Sequence, residues 1–555
     1  MLRWLLASSP LFVLLVTMLW LRWKAKTAGS VAWLVALTVA WAFFGGFPLL
    51  LALALAKGVS LTLFVVLIIW SSSFMFQLVS ETGSVPVISR WMATLSSDRL
   101  MLGLLIGWCL SGVIQAVAGF GVPVAVCAPL MIAAGFEPVV AAAGALVGHA
   151  WSITFGSMGS SFYTLGLSIK IPAEILGHWV GLTFIIPTVL TGLAVAHIID
   201  GWKGVRKGFF KILAVGTTMG GVQWIVASAG SGQLAALLGS LAGVLLTSVL
   251  APREKAQGAV ESGEESAGGA GTAEGGAARP GNKASGQPDP GASGKTGLAG
   301  QPGGQLGGQS LHVALTPYYA LLSLTLISQI GPIKAFFKPF KFGIDYPAMV
   351  TRQGYEVAAE KAYAAIGLFS HPAPIITAAC LVGLIVYLRR GLLTAANVKK
   401  AWQGTVKQSW PTTLGVLTMV MMALVMTDTG MTREMAAGVA KVAGALFPLV
   451  SPFIGVLGCF MTGSNTNSNV LFGAFQIETA NALGISATLV AASQTTGASL
   501  GSSIAPAKVL LGSSTSGLTG REAELMKKCL PYCVLIVLAL GLQTLVATAL
   551  LTVVP

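Results

Sequence analysis

The sequence predicts an all-α polytopic membrane protein made of two inverted-topology repeats with re-entrant helical hairpins. Of its 555 residues, 54% are hydrophobic, and the mean hydropathy is +0.80. The chain carries 33 basic and 19 acidic side chains, whereas a soluble protein of this length would carry about 140 charged residues. So few charges cannot cover a water-exposed surface, which predicts a chain that lies mostly in lipid.

Apolar runs divide the chain into six regions. Several runs approach the roughly 20 residues that cross a bilayer, but others are only about 10–16 residues long and contain Gly, Ser, Asn or Pro. Short interrupted runs indicate broken helices or re-entrant hairpins. The predicted regions are N-terminal transmembrane helices (1–59), a first repeat (60–200, hairpin near 101–134), further transmembrane helices (201–251), a linker (252–310), transmembrane helices with an interfacial loop (311–408, loop at 331–372) and a second repeat (409–555, hairpin near 443–484).

Local composition explains the regions between the repeats and the start of the chain. Residues 252–310 are rich in Gly, Ala, Ser, Pro and Gln and contain no aromatic residue, which predicts a disordered cytoplasmic linker. The 331–372 segment combines lysines with aromatic residues, as interfacial segments do.

The first apolar run has no cleavage-like site and ends in positive charge, so we expect a retained helix. The six cysteines lie in apolar runs without a CxxC pair and are interpreted as packing residues.

Three pairs of short motifs recur in the same order. SETG (80–83) matches TDTG (427–430), AGFG (118–121) matches TGSN (462–465), and FGSMGSS (155–161) matches LGSSIAP (500–506). The offsets are 347, 344 and 345 residues, counted from positions 81, 119 and 156 to positions 428, 463 and 501. Nearly constant offsets indicate an internal duplication.

Clusters of basic residues predict the orientation of the two copies. They lie at 22–26, 203–211, 389–408 and 521–528, and such clusters mark cytoplasmic loops. The run at 409–427 then leaves the cytoplasm, whereas its counterpart at 60–79 enters it. The copies are therefore antiparallel, with both termini outside, which is the usual construction of secondary transporters. Because the net charge of +14 is explained by topology, no nucleic-acid partner is expected.

The densest polar cluster is TGSNTNSN, at 462–469, between two apolar runs. Polar groups at membrane depth are costly unless they bind a ligand or line water. Hydroxyl, amide and freed backbone groups can hold a carboxylate or coordinate a cation; a solvated loop is the alternative. Its counterpart carries Gly119 and Gly121 after Gln115, and glycine lets backbone N–H groups face an anion, with helix packing as the alternative.

Two further segments, 155–161 and 499–506, end apolar helices with hydroxyl residues. Half-helix ends that meet near the midplane would offer dipole and hydroxyl contacts to a small carboxylate; small-residue packing is the alternative. The predicted binding residues are Gln115, Gly119, Gly121, Ser157, Ser160, Ser464, Asn465, Thr466, Asn467, Ser499, Ser502, Ser503 and Lys508.

Several strings resemble the bacterial L-lactate permease family: GFGVPVA (119–125), FGSMGSSF (155–162), TGSNTNSNVLFG (462–473), the 494–506 stretch and LTGREAELMKK (518–528). The resemblance extends from about residue 30 to residue 550, without the linker. It implies a proton symporter of the bacterial plasma (inner) membrane for L-lactate, and often for D-lactate and glycolate. It also implies the ion-transporter superfamily fold, in which two hairpin-bearing repeats form a transport domain beside a scaffold. A homodimer stays open.

Two residues depart from the family pattern. Asn465 lies in GSNTNSN where the family commonly has GSDTSSN, and Lys508 lies in APAKVLLG where an uncharged polar residue is expected. A carboxylate is thus replaced and an ammonium gained. The hypothesis is that Lys508 pairs with the substrate carboxylate or replaces a bound cation, and that Asn465 does not carry the proton. Snorkelling of Lys508 to the interface is the alternative.

Three residues are candidates for proton coupling. His149, in GALVGHAWS, lies within a turn or two of Ser157 and belongs to the residue type that titrates near physiological pH. Glu81 and Asp428 are repeat mates at the ends of apolar runs. A packed, hydrogen-bonded role for His149, and capping or interfacial solvation for the two carboxylates, are the alternatives.

Other classes of function receive less support from the sequence. It has no GxxxxGK[ST] loop for ATP, and no HExxH motif or metal-spaced His/Asp/Cys group that would indicate an intramembrane enzyme. We therefore expect neither catalysis nor a cofactor or metal. A cation-coupled carrier for another small carboxylate or a dicarboxylate stays open, although two carboxylates would need more positive charge than Lys508 supplies. A channel would not require two antiparallel half-copies.

Overall fold

The computed structural model describes residues 1–85, 87–88, 96, 98–119, 121–251, 309–328, 330–369 and 371–553. The predicted linker therefore lies outside the described residues, apart from positions 309 and 310. Among the described residues, ten helical segments are long and apolar enough to cross a membrane, or up to 12 if two bent pairs each count as one span. The prediction of a helical, multi-pass membrane protein is confirmed.

The helices before the linker are α1 (Leu2–Trp20), α2 (Ala25–Phe43), α3 (Pro48–Glu81), α4 (Arg99–Val117), α5 (Val122–Ala133), α6 (Pro138–Ser152), α7 (Gly156–Ile169), α8 (Ala173–Ser228) and α9 (Gly232–Leu250). The long α8 is interrupted at Asp200 and Gly201, which leave the helical conformation. Its two arms fold back on each other, since Gly181 lies against Trp224 and Gly220 lies against Ile185.

The elements between the linker and the second predicted repeat are α10 (Leu311–Ala314), α11 (Thr316–Ser328), α12 (Gly331–Phe337), β1 (Lys341–Tyr346), β2 (Met349–Val350), β3 (Glu356–Val357), β4 (Glu360–Gly367) and α13 (Pro372–Arg389). The strands form two antiparallel pairs, β1 with β4 and β2 with β3. Part of the predicted interfacial loop is thus a small β-segment, which the all-α prediction does not contain. Apolar residues alternate along β1, but they do not along β4 (EKAYAAIG), and the lysines and aromatic residues of this segment indicated an interfacial loop instead.

The remaining helices are α14 (Ala395–Asp428), α15 (Met431–Ala443), α16 (Phe447–Thr462), α17 (Asn465–Leu483), α18 (Ala487–Gly501), α19 (Pro506–Thr515) and α20 (Glu522–Val553). α16 and α17 form a helical hairpin whose turn is Gly463–Ser464, and the Ser468 hydroxyl donates to the Gly455 carbonyl at 2.9 Å to join its two arms. α4 and α5 pack in the same manner around residues 118–121, of which 120 is not described.

α3 and α14 pack against each other as an antiparallel pair. Each contains 34 residues, and both the first and the last residue of α14 follow those of α3 by 347 positions. Lys57 contacts Asp428 at one end, and Lys400 contacts Glu81 at the other. Between them, the Trp70 indole N–H donates to the Thr413 hydroxyl at 3.0 Å. The two helices therefore run alongside each other over most of their length.

A candidate functional site at the helix breaks

The backbone of the first predicted repeat breaks between α6 and α7. α6 ends in a 3₁₀ turn at Ala150–Ser152, and the two helices are bent by 48°. At the start of α7, Ser157, Met158 and Gly159 have φ values of 46°, 54° and 74°. This left-handed region suits Gly159 but costs about 1–2 kcal/mol for each of the two other residues. Such strain in a buried segment is typical of functional sites.

A second break lies between α18 and α19. A 3₁₀ turn at Ser502–Ile504 follows α18, and Pro506 begins α19. Proline lacks the backbone N–H that a continuous helix would use at this position, so the sequence itself ends one helix and starts the next. Both predicted hydroxyl-rich segments are thus helix breaks.

The turn of the second hairpin places a row of polar residues at the N-terminus of α17. Gly463 adopts a left-handed φ of 69°, and the Ser464 side chain accepts a hydrogen bond from the Asn467 backbone N–H at 3.3 Å. This is the N-cap geometry that serine favours. Asn465, Thr466 and Asn467 consequently lie in the first turn of a helix, where backbone N–H groups and the helix dipole favour an anion.

Hydrogen bonds join this turn to the break of the other half. The Asn465 amide donates to the Thr154 hydroxyl at 2.9 Å, and that hydroxyl donates to the Thr495 carbonyl at 3.0 Å. The Asn469 amide donates to the Ser161 carbonyl at 3.0 Å and to the Thr495 hydroxyl at 2.8 Å. The hydroxyl oxygens of Ser161 and Thr466 are 2.8 Å apart and form a further hydrogen bond. We name this buried group the polar crossing; its members are Thr154, Ser161, Asn465, Thr466, Asn469 and Thr495.

The turn of the first hairpin approaches the same break. A Cβ atom added at Gly119 would collide with the Ser157 hydroxyl, and Gln115 is a close neighbour of both Gly119 and Gly156. Within the described residues, the buried Gln115 Oε1 atom has no hydrogen-bond partner, and neither has Asn467 Oδ1. Buried polar atoms are nearly always paired with protein or water, so these atoms indicate positions where water or a ligand would bind.

Lys508 lies in the second break. It is only 8% exposed, and its ammonium donates to the Ser502 hydroxyl. It is also close enough to His149 to interact with it electrostatically. His149 is fully buried; its Nδ1 atom is 2.8 Å from the Ala145 carbonyl, and its Nε2 atom has no partner among the described residues. The Ser499 hydroxyl donates to the nearby Ala150 carbonyl at 2.6 Å.

The structure does not bring every predicted residue into this region. The Ser503 hydroxyl bonds to the Leu500 carbonyl of its own helical segment, and Gly121 packs against Leu511. Ser160 is buried on α7. Glu81 and Asp428 lie instead at the two opposite ends of the α3–α14 pair, each bound to a lysine of the other helix.

Sequence reasoning did not select several residues that the structure places in the site. Thr154, Ser161, Asn469 and Thr495 are buried members of the polar crossing. All of them except Thr154 lie in strings that already carried the family resemblance. Lys57 also escaped selection, although a single lysine in the apolar run 48–79 is a visible signal. Within the described residues, no group of three or more His, Cys, Asp or Glu side chains could hold a metal ion.

Comparison with known proteins identifies the family. A model of the L-lactate permease family matches residues 3–551. The chain belongs to the L-lactate permease family. It is 26% identical over 561 residues to the L-lactate permease of Escherichia coli (strain K12), with 99% of this chain and 96% of that protein covered.

Two other relatives extend this comparison. The chain is 26% identical over 559 residues to the glycolate permease GlcA of the same strain, with 98% of this chain and 95% of that protein covered. It is 26% identical over 495 residues to the L-lactate permease of Bacillus subtilis (strain 168), with 86% and 83% covered. The resemblance predicted from the motifs is confirmed, and the chain is a permease rather than an enzyme.

Proposed function

We propose that this permease is a secondary carrier that imports L-lactate, with D-lactate and glycolate as further substrates, by proton symport across the bacterial plasma membrane. One observation carries the proposal: a buried, uncharged polar crossing is built from both halves of the chain, and the broken helix α18–α19 that supplies its Thr495 also carries the buried Lys508. One cation suits one carboxylate, and hydroxyl and amide groups suit a 2-hydroxyl group. Relatives named lactate and glycolate permeases support this substrate class.

The proposal assigns two roles in substrate binding. Lys508, with Ser502, would hold the carboxylate, since a desolvated ammonium gains most from an anionic partner. The amides and hydroxyls of the second hairpin turn, led by Asn465 and Thr466, would hold the 2-hydroxyl group. Neither contact requires a metal or a cofactor, because the substrate leaves chemically unchanged.

Two repeats of opposite orientation are a common basis for alternating access, and the element order supports them. α3 and α14 have equal length at an offset of 347 residues and pack antiparallel. A hairpin and then a broken helix follow each of them, as α4–α5 and α6–α7 in one half and α16–α17 and α18–α19 in the other. Inverted repeats with broken helices at the midplane are the usual construction of such carriers.

The same order supports a division into scaffold and transport domain. In this proposal the two hairpins are re-entrant, and they move with the broken helices, the first arm of α8 and α20. The antiparallel α3–α14 pair belongs to the scaffold. Short helices with buried polar turns are tolerated at membrane depth only where protein or a cavity covers them, and the burial of Asn465, Thr466 and Ser157 meets that condition.

Counterflow in proteoliposomes tests the carrier. Vesicles preloaded with unlabelled L-lactate should take up labelled L-lactate without any gradient, and an acidic outside solution should drive net accumulation. Unlabelled D-lactate and glycolate should compete with the labelled substrate. Flux that continues without exchange would indicate a channel, and counterflow without acid-driven accumulation would remove proton symport from the proposal.

A cation-coupled carrier for another small carboxylate or for a dicarboxylate is the alternative. A dicarboxylate would need a second cation in addition to Lys508, and the six members of the polar crossing are all uncharged. Competition by a dicarboxylate stronger than that by L-lactate, or accumulation driven by a sodium gradient at equal pH, would favour the alternative.

A further inference from the structure

A second group of charged side chains lies where α14 ends. Lys57 Nζ is 3.1 Å from Asp428 Oδ2 and 2.9 Å from Glu360 Oε1, and Lys170 Nζ is 3.0 Å from the same Glu360 oxygen. Lys57 is only 2% exposed, although it lies in an apolar helix. Two lysines and two carboxylates from four elements thus form one group, which we name the charge cluster (Lys57, Lys170, Glu360 and Asp428).

Stability alone does not account for the charge cluster. Moving ions out of water costs about as much as their attraction returns, so apolar side chains of similar volume would often stabilise the fold equally well. Ionisable residues inside membrane segments instead mark pathways for ions and protons. The polar crossing does not contain these four residues, so the cluster needs a function of its own.

α7 connects the charge cluster to the polar crossing. Lys170 follows the last residue of α7 in a left-handed conformation, with φ of 59°. The other end of α7 holds the strained Ser157–Gly159 segment, followed by Ser161. The 14 residues of this helix span about 20 Å at 1.5 Å per residue. A change in the Lys170–Glu360 contact therefore acts on the helix that carries part of the candidate substrate site.

Asp428 is the carboxylate of the cluster that protons reach most easily. Among the described residues, one lysine contacts Asp428, whereas Glu360 contacts two. Fewer nearby cations make the neutral acid less costly to form. Asp428 also lines an open cleft of about 690 Å³, together with Lys170, Tyr355 and Glu478, so a proton can arrive from water.

We propose that Asp428 accepts the coupling proton, and that its protonation breaks the Lys57–Asp428 ion pair and loosens the hold of Glu360 on Lys170 at the end of α7. The proposal rests on the proton symport proposed above. A proton from the cleft converts the carboxylate to a neutral acid, and Lys57 is then left with Glu360 as its one anionic partner in the cluster. The proton leaves when the Lys57–Asp428 ion pair forms again.

Other titratable groups surround Asp428 and set the background for this step. Those with an electrostatic effect on it are Lys57 on α3, Glu360 on β4 and Lys170 after α7. Asp428 interacts electrostatically with Tyr363 on β4 and with Tyr355, which lies between β2 and β3. Tyr355 also interacts electrostatically with Glu478 on α17 and with Arg433 on α15. The variants described below leave Tyr355, Tyr363, Arg433 and Glu478 unchanged.

The test compares Asp428→Asn with wild type in two assays on the same proteoliposomes. Counterflow of labelled L-lactate without a gradient does not require net proton movement, so the variant should retain it. Accumulation driven by an acidic outside solution should fall to the level seen without a pH gradient. Glu434→Gln is the matched control, because this carboxylate pairs with Arg3 at 3.7 Å, with 40% of its side chain exposed, outside the cluster. It should retain both activities.

Each outcome decides for or against the assignment. Accumulation at the wild-type level in Asp428→Asn would overturn it. If that variant loses both activities, the double variant Lys57→Met/Asp428→Asn is tested next, because it removes the unbalanced charge of Lys57. Counterflow without accumulation in the double variant supports the assignment. Recovery of accumulation, or a second loss of both activities, overturns it. If wild type shows counterflow but no acid-driven accumulation, the proposed symport fails instead.

Discussion

Among the described residues, Lys508 forms no ion pair with a carboxylate, and it lies near His149 of the other half of the chain. Its ammonium donates to Ser502 and is almost fully buried. A hydroxyl offsets only part of the cost of burying a charge, and the remainder favours binding of an anion. A lysine that snorkels to an interface would instead leave its head group in water, and the low exposure of Lys508 does not resemble that arrangement.

Replacement of Lys508 by glutamine should raise the KM for L-lactate. A hydrogen bond to a charged group contributes about 1.5–3 kcal/mol, which corresponds to a roughly 10- to 100-fold weaker affinity. Initial uptake rates over a range of L-lactate concentrations measure the effect. Lys441→Gln, at an exposed position on α15, is the control. An unchanged KM together with an unchanged pH dependence of uptake would remove Lys508 from substrate binding.

Asn465 acts as a hydrogen-bond donor in the polar crossing. Its amide donates to the Thr154 hydroxyl, and the Thr495 carbonyl lies 3.4 Å from the same nitrogen. An ionised carboxylate has no proton to donate, whereas a protonated one has one. Asn465→Asp should therefore reduce counterflow at neutral pH and recover part of it in acidic solution.

The measurement is counterflow at equal pH on both sides of the membrane, repeated from acidic to alkaline pH. Asn465→Gln keeps the donor on a longer side chain, so it should lower counterflow without adding the acidic optimum. A flat pH profile in Asn465→Asp would show that the donor at this position is dispensable.

At the scale of secondary structure, close approach of backbone segments defines the site. Gly119 lies in the first hairpin turn against Ser157, whose hydroxyl occupies the position that a methyl group would take. Gly119→Ala should therefore lower counterflow, because the Ser157 hydroxyl or the hairpin turn has to move. Gly221 on α8 has nothing within 4 Å of an added Cβ, so Gly221→Ala should retain counterflow and add about 0.5–1 kcal/mol of helix propensity.

Thermal unfolding of both purified variants separates function from folding. A Gly119→Ala protein that unfolds near the wild-type temperature but does not exchange L-lactate would locate the defect in the site. Full exchange by Gly119→Ala would show that the hairpin turn tolerates displacement from Ser157.

The sequence predicts elements better than it predicts their partners. Short runs interrupted by Gly and Pro indicated breaks near 118–121, 155–161 and 499–506, because these residues act on the local backbone. The Asn465–Thr154 bond joins residues 311 positions apart, and no local pattern encodes such a partner. The β-segment was missed for a different reason: β4 has no period-two pattern of apolar residues, and the lysines and aromatic residues around β1 indicated an interfacial loop.

At the scale of the whole molecule, charge counts predicted the membrane and a basic-cluster argument predicted antiparallel halves. The charge cluster could not be predicted in this way, because its acidic members come from the end of an apolar helix and from the unpredicted β4 strand. Lys57 looks like an isolated charge in the sequence. Only the antiparallel packing of α3 on α14, with β4 beside them, gives it two carboxylate partners.

Cysteine pairs can compare a contact inside the proposed scaffold with a contact inside the candidate substrate site. Ser73 and Gln408 join α3 to α14 through side-chain atoms 3.2 Å apart, inside the proposed scaffold. Ser161 and Thr466 join α7 to the second hairpin turn through oxygens 2.8 Å apart, inside the candidate site. Oxidation of a Ser73→Cys/Gln408→Cys protein, with the cross-link verified by the loss of both free thiols, should leave counterflow unchanged. Oxidation of a Ser161→Cys/Thr466→Cys protein should stop it, because the cross-link holds the second hairpin turn against α7 and closes the candidate site. Reduction should restore the rate seen before oxidation.

Each variant is compared in its oxidised and reduced forms, so an effect of the substitutions themselves is present in both forms and does not change the comparison. The six native cysteines are free and buried, and wild type treated with the same oxidant reports any reaction at those thiols. If the Ser73–Gln408 pair blocks counterflow when oxidised, α3 and α14 move against each other and the proposed scaffold is wrong. If the Ser161–Thr466 pair exchanges L-lactate while cross-linked, the hairpin turn does not have to leave α7 for the substrate to pass.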